Sequence, residues 1–226
     1  SQALTAFGYP ECPGHIMVNN PMWRKSAHDF GQMVKQWLLM PNADSLMNLA
    51  IFLDAHPVCG DARLLEDAQQ VLQRLATDND AMLARFAAAI DAFGNSSGWW
   101  NRLLGLDDQQ GLHLKKEGIF PLVHGVRSLA LAEHLQETST TARIDALVLK
   151  HVITPALGAE LTQTLHFLMG VKLKAGVTEM ETQREVSGLV NVAKLSTLER
   201  DLLKDALGVV KHFKGLLRSR FKLDAL

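Results

Sequence analysis

The feature that most constrains the fold is a change in the spacing of apolar residues near Asp61. Before it, glycine and proline recur and divide the chain into short segments, whereas after it apolar residues recur at helical spacing almost throughout. The 226 residues are 47% hydrophobic and 21% charged, enough for a core that needs no disulfide or metal. We expect a mostly α protein, with a short α/β part over residues 1–60 and a helical bundle over residues 61–226.

Within the first part, two apolar runs are short enough to be buried strands, residues 15–18 and 50–53. Residues 24–40, which lie between them, predict a helix that Pro41 ends. The second part predicts a series of helices with a turn-rich connector over residues 94–111 and a loop over residues 178–193. Apolar periodicity and one capping box, from Ser196 to Glu199, place these helices over residues 64–75, 82–93, 123–135, 141–152, 155–175 and 196–221.

Charge and hydropathy exclude several classes of function. The 23 basic and 24 acidic residues give a net charge of −1, so we expect neither nucleic acid nor a membrane as partner. No apolar run approaches the roughly 18 residues of a membrane span, and the first residues do not form a secretory leader. With two cysteines and no disulfide framework, a cytoplasmic location is expected.

Two pairs of residues have spacings typical of metal ligands. Cys12 with His15, and His56 with Cys59, could together form a tetrahedral zinc site. The more common explanation is a buried small thiol and a turn histidine at each place, so the primary expectation is no metal site.

Three further regions carry polar residues that suit ligand chemistry. Asp54 follows the predicted strand over residues 50–53, where it faces a cleft or simply belongs to a turn before Pro57. Lys115 and Arg127 flank a glycine- and proline-containing stretch, and Arg143 follows a hydroxyl-rich helix start. These cations and that helix start could hold a phosphate or carboxylate, or could serve ordinary capping and ion pairing. No glycine-rich phosphate loop and no nucleophile elbow are present in the sequence.

Several strings together resemble one family. Residues 8–24 resemble its G-x-P-x-C-P-G-x-V-M-A-x-N-P-x-W-R stretch, and residues 52–61 resemble its F-F-D-F-R-x-V-x-G-D. Residues 114–131 resemble D-L-K-x-x-G-x-x-P-I-V-D-x-x-R-x-x-A-L, and two shorter strings, residues 140–144 and 195–204, follow in the same order. The sequence thus resembles the nucleotidyltransferases of the DUF294 type, which are related to the uridylyltransferases that modify nitrogen-regulatory PII proteins.

The resemblance implies a polymerase-β-like catalytic domain, here over residues 1–60, followed by a helical substrate-binding domain over residues 61–226. It implies nucleotidyl transfer from an NTP to the hydroxyl of an unknown acceptor, either a protein or a small molecule, with Mg²⁺ and NTP as cofactor and substrate. Asp54 matches the third carboxylate of the family. The residues that the resemblance assigns to the substrate cleft, or to contacts with acceptor or phosphates, are Asn20, Arg24, Lys115, Arg127, Thr140 and Arg143.

The departures from the family pattern are informative. The glycine-serine loop and the D-x-D metal pair of the family would precede Gly8 and are absent from this sequence. We therefore expect the C-terminal portion of a bacterial signalling enzyme, inactive by itself and without tightly bound cofactor. Its expected partners are upstream catalytic, CBS or cyclic-nucleotide-binding domains and a second copy, paired through residues 1–60. His56 replaces a family arginine, and His113 and His124 replace aspartates. The alternative is a helical regulatory domain without catalysis.

Overall fold

The computed structural model describes residues 2–76, 79–91 and 111–225. Within these ranges the backbone forms nine α-helices, and the one extended pairing is an isolated bridge between Leu112 and Val190. The chain divides into two compact units, Ser1–Asp78 and Asn79–Leu226. The prediction of a mostly α protein is confirmed. No helix in the described ranges combines the length and the apolar character needed to cross a membrane.

The first unit contains four helices: α1 (Gln2–Ala6), α2 (Ala27–Leu39), α3 (Ala43–Phe52) and α4 (Arg63–Ala76). The predicted helices over residues 24–40 and 64–75 are confirmed as α2 and α4, which pack against each other. Ser26 begins α2 by accepting the backbone N–H of Asp29, since a side-chain oxygen at this position satisfies an otherwise unpaired donor. Helix α4 thus lies beyond residue 60 in the sequence but belongs to the first unit.

The predicted strand over residues 50–53 is wrong, because these residues form the last turn of α3 and the turn that follows it. Asn42 and Ser45 form a reciprocal capping box, with the cap residue Asn42 eight residues upstream of Ala50. Leu49 and Phe52 then lie on the buried face of α3. A four-residue apolar run at the end of a helix therefore has the appearance of a short strand.

The predicted strand over residues 15–18 is also wrong, and the short α/β part is not confirmed. His15 adopts a left-handed backbone conformation with φ of 53°, and the N–H of Met17 donates to the His15 carbonyl. Both features curl the chain, so its polar groups pair locally instead of along a neighbouring strand. Within residues 2–76 no strand is available as a partner.

An aromatic cluster holds the turn over residues 13–24 against α2 and α3. The ring centroids of Trp23 and Trp37 lie 5.9 Å apart, and those of Phe30 and Phe52 lie 5.4 Å apart. Trp37 also contacts the rings of Phe30 and Phe52. These tilted and edge-on arrangements are favourable for aromatic pairs, and they give the first unit its own core.

The second unit contains α5 (Asp80–Ala87), α6 (Phe120–Ala132), α7 (Thr140–Leu149), α8 (Pro155–Glu181) and α9 (Thr197–Phe221). A 3₁₀ turn, Ala88–Asp91, extends α5, and a π-helical turn, Lys115–Ile119, leads into α6. The helices predicted in this part of the chain are confirmed. Of the connector predicted over residues 94–111, residues 94–110 lie outside the described residues.

Helix starts in the second unit follow their capping residues. Thr154 caps α8 by accepting the N–H of Leu157, and the predicted capping box of Ser196 with Glu199 begins α9. Helix α8 runs past its predicted end at residue 175 as far as Glu181, and within this last part the Thr178 and Thr182 hydroxyls donate to carbonyls one turn back. The predicted loop accordingly begins at Thr182 and not at residue 178.

Helix α6 contacts α5, α7 and α9 within the second unit, and α8 packs against both α7 and α9. Gly125 allows α6 to approach α9 closely, because a Cβ built there would overlap the buried side chains of Phe213 and Leu217. Gly118, in the π-helical turn, has the same role against Leu168. The loop over residues 182–196 closes the far end of the α8–α9 pair, and this end holds the cavity described next.

Candidate functional site

Asn20 and Arg24, two of the predicted residues, lie in one turn of the first unit. The Asn20 side chain donates to the His15 carbonyl at 2.9 Å and accepts the Met22 N–H at 2.9 Å. Both ends of its amide are therefore used to shape the turn. Arg24 is exposed directly after this turn, where an anion can approach its guanidinium.

Asp54 lies half-buried in the turn after α3 and not at the end of a strand. Its backbone N–H donates to the Ile51 carbonyl at 3.2 Å, as in an ordinary helix end. In residues 2–76, 79–91 and 111–225, no three histidine, cysteine or acidic side chains form a group that could hold a metal ion. Asp54 therefore belongs to no such group within these ranges. The candidate zinc ligands Cys12, His15, His56 and Cys59 are likewise not brought together.

Arg127 is half-buried on α6, one turn after His124. The His124 Nε2 atom lies 2.7 Å from the Phe86 carbonyl oxygen, and its Nδ1 lies 3.5 Å from Nη1 of Arg127. The carbonyl can only accept, so the proton of the neutral ring belongs on Nε2. The ring also stacks on Phe120, with centroids 5.3 Å apart. His124 therefore ties α5 to α6.

The other predicted residues of the second unit lie at element starts. Lys115 is the exposed first residue of the π-helical turn, and the carbonyl of the half-buried His113 accepts N–H groups of that turn. Thr140 is the half-buried first residue of α7. Arg143 is 3% exposed, and its Nε donates to the Glu137 carbonyl at 2.6 Å. This bond holds the loop before α7, so Arg143 has a structural contact in addition to any ligand contact.

The second unit has a cavity of about 330 Å³ at the C-terminal half of α8, which we call the α8 cavity. One wall is a single face of α8, and the opposite wall is the segment over residues 184–195 with Gly111 at its edge. The lining residues are Gly111, Val171, Lys174, Ala175, Thr178, Glu179, Arg184, Ser187, Leu189, Val190, Asn191, Lys194 and Leu195. None of the residues predicted from the sequence is among them.

Hydrogen bonds fasten the segment over residues 184–195 at several points. The Glu179 carboxylate accepts the Ser187 N–H at 3.0 Å and its hydroxyl at 2.6 Å. Further along, Val190 exchanges backbone hydrogen bonds of 2.8 and 2.9 Å with Leu112. These hydrogen bonds hold the segment against α8 and give the cavity a defined second wall.

Positive charge dominates the polar lining of the α8 cavity. Lys174, Arg184 and Lys194 face one lining carboxylate, Glu179. The Ser187 hydrogen bonds, with smaller contributions from the charges of Arg184 and Lys194, lower the pKa of Glu179 below its ordinary value. Lys174 forms an ion pair of 2.6 Å with Glu199, and this bond together with the Ser196 N–H lowers the Glu199 pKa to about 2. Both carboxylates are therefore ionised at neutral pH, and the lining keeps an excess of positive charge.

Sequence reasoning missed this cavity because its second wall comes from the least periodic stretch of the sequence. One signal was present. Val171, Lys174, Ala175 and Thr178 recur at helical spacing and combine apolar with polar side chains, and the loop that follows them carries two further cations. Nothing in the sequence fixes which face of α8 this loop covers.

Two family models match the chain, in the order that the sequence analysis expects. The model described as "Putative nucleotidyltransferase DUF294" matches residues 1–44, and the one described as "Putative nucleotidyltransferase substrate binding domain" matches residues 80–221. The second match covers more than half of the chain. The chain belongs to the DUF294 family. No curated protein and no solved structure matches it.

The match over residues 80–221 includes every residue that lines the α8 cavity. It also includes Lys115, Arg127, Thr140 and Arg143. The match over residues 1–44 includes Asn20 and Arg24 but ends before Asp54. The cavity therefore lies within the domain that the family description associates with substrate binding.

Proposed function

We propose that this DUF294 chain serves nucleotidyl transfer from an NTP to an acceptor hydroxyl, and that its second unit holds the acceptor in the α8 cavity. The observation that carries the proposal is this positively charged cavity, which has two defined walls and lies inside the matched substrate-binding domain. Its volume of about 330 Å³ is at the small end of ligand sites, which suits a small molecule and not a folded protein partner.

In the proposed reaction the acceptor hydroxyl oxygen attacks the α-phosphorus of the NTP, the bond to the β-phosphate oxygen breaks, and pyrophosphate leaves. The hydroxyl proton passes to a base or to water. The contribution of the second unit is to bind the acceptor and fix its orientation, which lowers the entropic part of the barrier. In the first unit, Asn20 shapes the turn and Arg24 contacts the phosphates. NTP is plentiful in the cytoplasm, where we place the reaction.

Mg²⁺ is the usual cofactor of such reactions, but the donor set described above does not fit it. Asp54 is the family-matched carboxylate, and the described ranges contain no group of three metal-ligating side chains around it or elsewhere. A pair of catalytic metal ions requires several carboxylates in one place. We therefore assign no step of the reaction to a metal held by these residues.

A nucleotide titration tests the transferase role. The thermal unfolding midpoint of the full chain is measured with ATP, UTP, CTP and GTP, each with and without Mg²⁺. A nucleotide that binds the folded protein at 100 times its dissociation constant adds about 2.7 kcal/mol of stability, so at least one of them should raise the midpoint in a saturable manner. If none does, this chain does not bind the nucleotide by itself, and the helical regulatory domain becomes the better account of it.

Three variants locate the nucleotide. Arg24→Gln should weaken the shift, whereas Lys25→Gln, at the adjacent exposed cation, should leave it unchanged. Lys194→Gln in the α8 cavity should also leave the nucleotide shift unchanged, because the cavity is reserved for the acceptor. Loss of the shift in Lys194→Gln alone would show instead that the cavity holds the nucleotide.

A further inference from the structure

From the geometry of the α8 cavity we infer the chemical class of its ligand: a small molecule with one anionic group, a phosphate or a carboxylate, on an apolar body. The inference rests on the proposed function in calling that ligand the acceptor. It deepens the function by naming what the cavity recognises, with Lys194 as the residue that anchors the anion.

The case for an anionic group depends on how the cations of the cavity are paired. Lys174 is neutralised by its ion pair with Glu199. The carboxylate oxygens of Glu179 are engaged by Ser187, although this carboxylate also feels the charges of Arg184 and Lys194. Two cations thus share one carboxylate that is already bound elsewhere, so an anion entering the cavity meets uncompensated positive charge.

Lys194 is the better anchor of these two cations. The Arg184 Nε donates to the Thr182 hydroxyl at 3.0 Å, which holds its guanidinium against the end of α8. The ammonium group of Lys194 forms no hydrogen bond or ion pair with the described residues, and its three donors are therefore available to a ligand. A charge-assisted hydrogen bond to an anion is among the stronger contacts that such a donor can make.

The case for an apolar body depends on the remaining lining. Val171 and Val190 are 7% and 1% exposed and form an apolar floor, while Leu189 and Leu195 are half-buried at the sides. An inorganic anion alone would leave this surface in contact with water. A ligand that carries a hydrocarbon or aromatic body beside its anionic group would cover it and gain from its burial.

Matched probes test both halves of the inference on the full chain. The probes are hexyl phosphate, hexanoate, hexanol and inorganic phosphate, and binding is measured by calorimetric titration at low and at physiological salt. We expect hexyl phosphate or hexanoate to bind at least tenfold more tightly than either hexanol or inorganic phosphate. The relative affinity of hexyl phosphate and hexanoate then tells which anionic group the cavity prefers. If hexanol binds as tightly as hexyl phosphate and hexanoate, the anionic half of the inference is overturned. If inorganic phosphate binds as tightly as those two probes, the apolar half is overturned.

Two variants link the binding to Lys194. Lys194→Gln should weaken the tighter probe about tenfold, because one charge-assisted contact is lost. Lys211→Gln, at an exposed lysine of α9 outside the cavity, is the control for loss of a surface charge and should have no effect. Equal weakening by both variants, or none by Lys194→Gln, would refute the assignment of Lys194. Because the nucleotide titration is read separately, probe binding without any nucleotide shift would retain the ligand class and reject nucleotide binding by this chain.

Discussion

Substitution of Gly125 by alanine gives a direct test of the packing of the second unit. The Cα of Gly125 faces α9, and a Cβ there would lie 2.8 Å from Cε1 of Phe213 and closer still to the Leu217 side chain. Phe213 and Leu217 are each 1% exposed, so neither can swing aside without disturbing the core. Gly125→Ala must therefore displace these buried side chains or push α6 and α9 apart.

The magnitude of this effect follows from a matched control, Gly170→Ala. Gly170 is exposed on α8, and a Cβ there meets nothing within 4 Å. Alanine in place of glycine inside a helix adds about 1 kcal/mol of stability at either position, so this contribution cancels between the two variants. The remaining difference is the overpacking at Gly125, typically about 1–3 kcal/mol. We expect Gly170→Ala to be more stable than the unmodified chain by about 0.5–1 kcal/mol. We expect Gly125→Ala to be less stable than Gly170→Ala by about 1–3 kcal/mol.

The assay is thermal unfolding followed by circular dichroism at the helical minimum, repeated by calorimetry. A difference of 1–3 kcal/mol corresponds to roughly 2–12 °C between the midpoints of the two variants in a chain of this size. Since each unit has its own core, the transition to compare is the one that moves when Gly170 is changed. Equal midpoints for the two variants would refute the close approach of α6 and α9.

Three further outcomes follow from the structure. Asn20→Ala should destabilise the first unit by about 1 kcal/mol in urea unfolding, because the His15 carbonyl and the Met22 N–H both lose a partner; no change would mean that the turn does not depend on this amide. The Glu199 pKa of about 2 lies below its ordinary value of 4.5, so its stabilisation is complete above pH 4.5 and is lost as the pH falls through 2. The melting-temperature difference between the unmodified chain and Glu199→Gln should therefore shrink on going from pH 5 to pH 2. A difference that stays constant would contradict the stabilising role of the ionised Glu199 carboxylate. In Gly111→Ala the new Cβ would lie 2.9 Å from Cβ of Leu189 and would shift one wall of the α8 cavity. This variant should bind hexyl phosphate severalfold more weakly, and an unchanged affinity would count against that wall.

The helices could be predicted from the sequence because two independent local signals agree on them. Apolar spacing gives the buried face, and Ser26, Thr154 and Ser196 mark where α2, α8 and α9 begin. The predicted strand over residues 50–53 fails because four apolar residues in a row fit either structure. The capping box of Asn42 and Ser45 decides between them, and its signal lies upstream of the run that it governs.

The candidate site could be predicted much less well. The sequence indicates Arg143 as a cation near a helix start, but its burial and its bond to the Glu137 carbonyl depend on how the preceding loop folds back. Lys194 looks like any other lysine in the sequence. Its significance arises because the Glu179–Ser187 hydrogen bonds bring an irregular segment over one face of α8, a pairing eight residues apart that no periodic pattern encodes.

The histidine at position 124 shows how a departure from a family pattern can have a structural cause. The family resemblance places an aspartate there, whereas this chain has a histidine. In the structure the Nε2–H group of His124 donates to the Phe86 carbonyl, and the ring packs against Phe120 and Phe86. A carboxylate could not donate to that carbonyl, and in this buried position it would require compensating donors. The substitution is therefore explained by the packing of α5 against α6. His124 does not line the α8 cavity, so the substitution is no argument against ligand binding there.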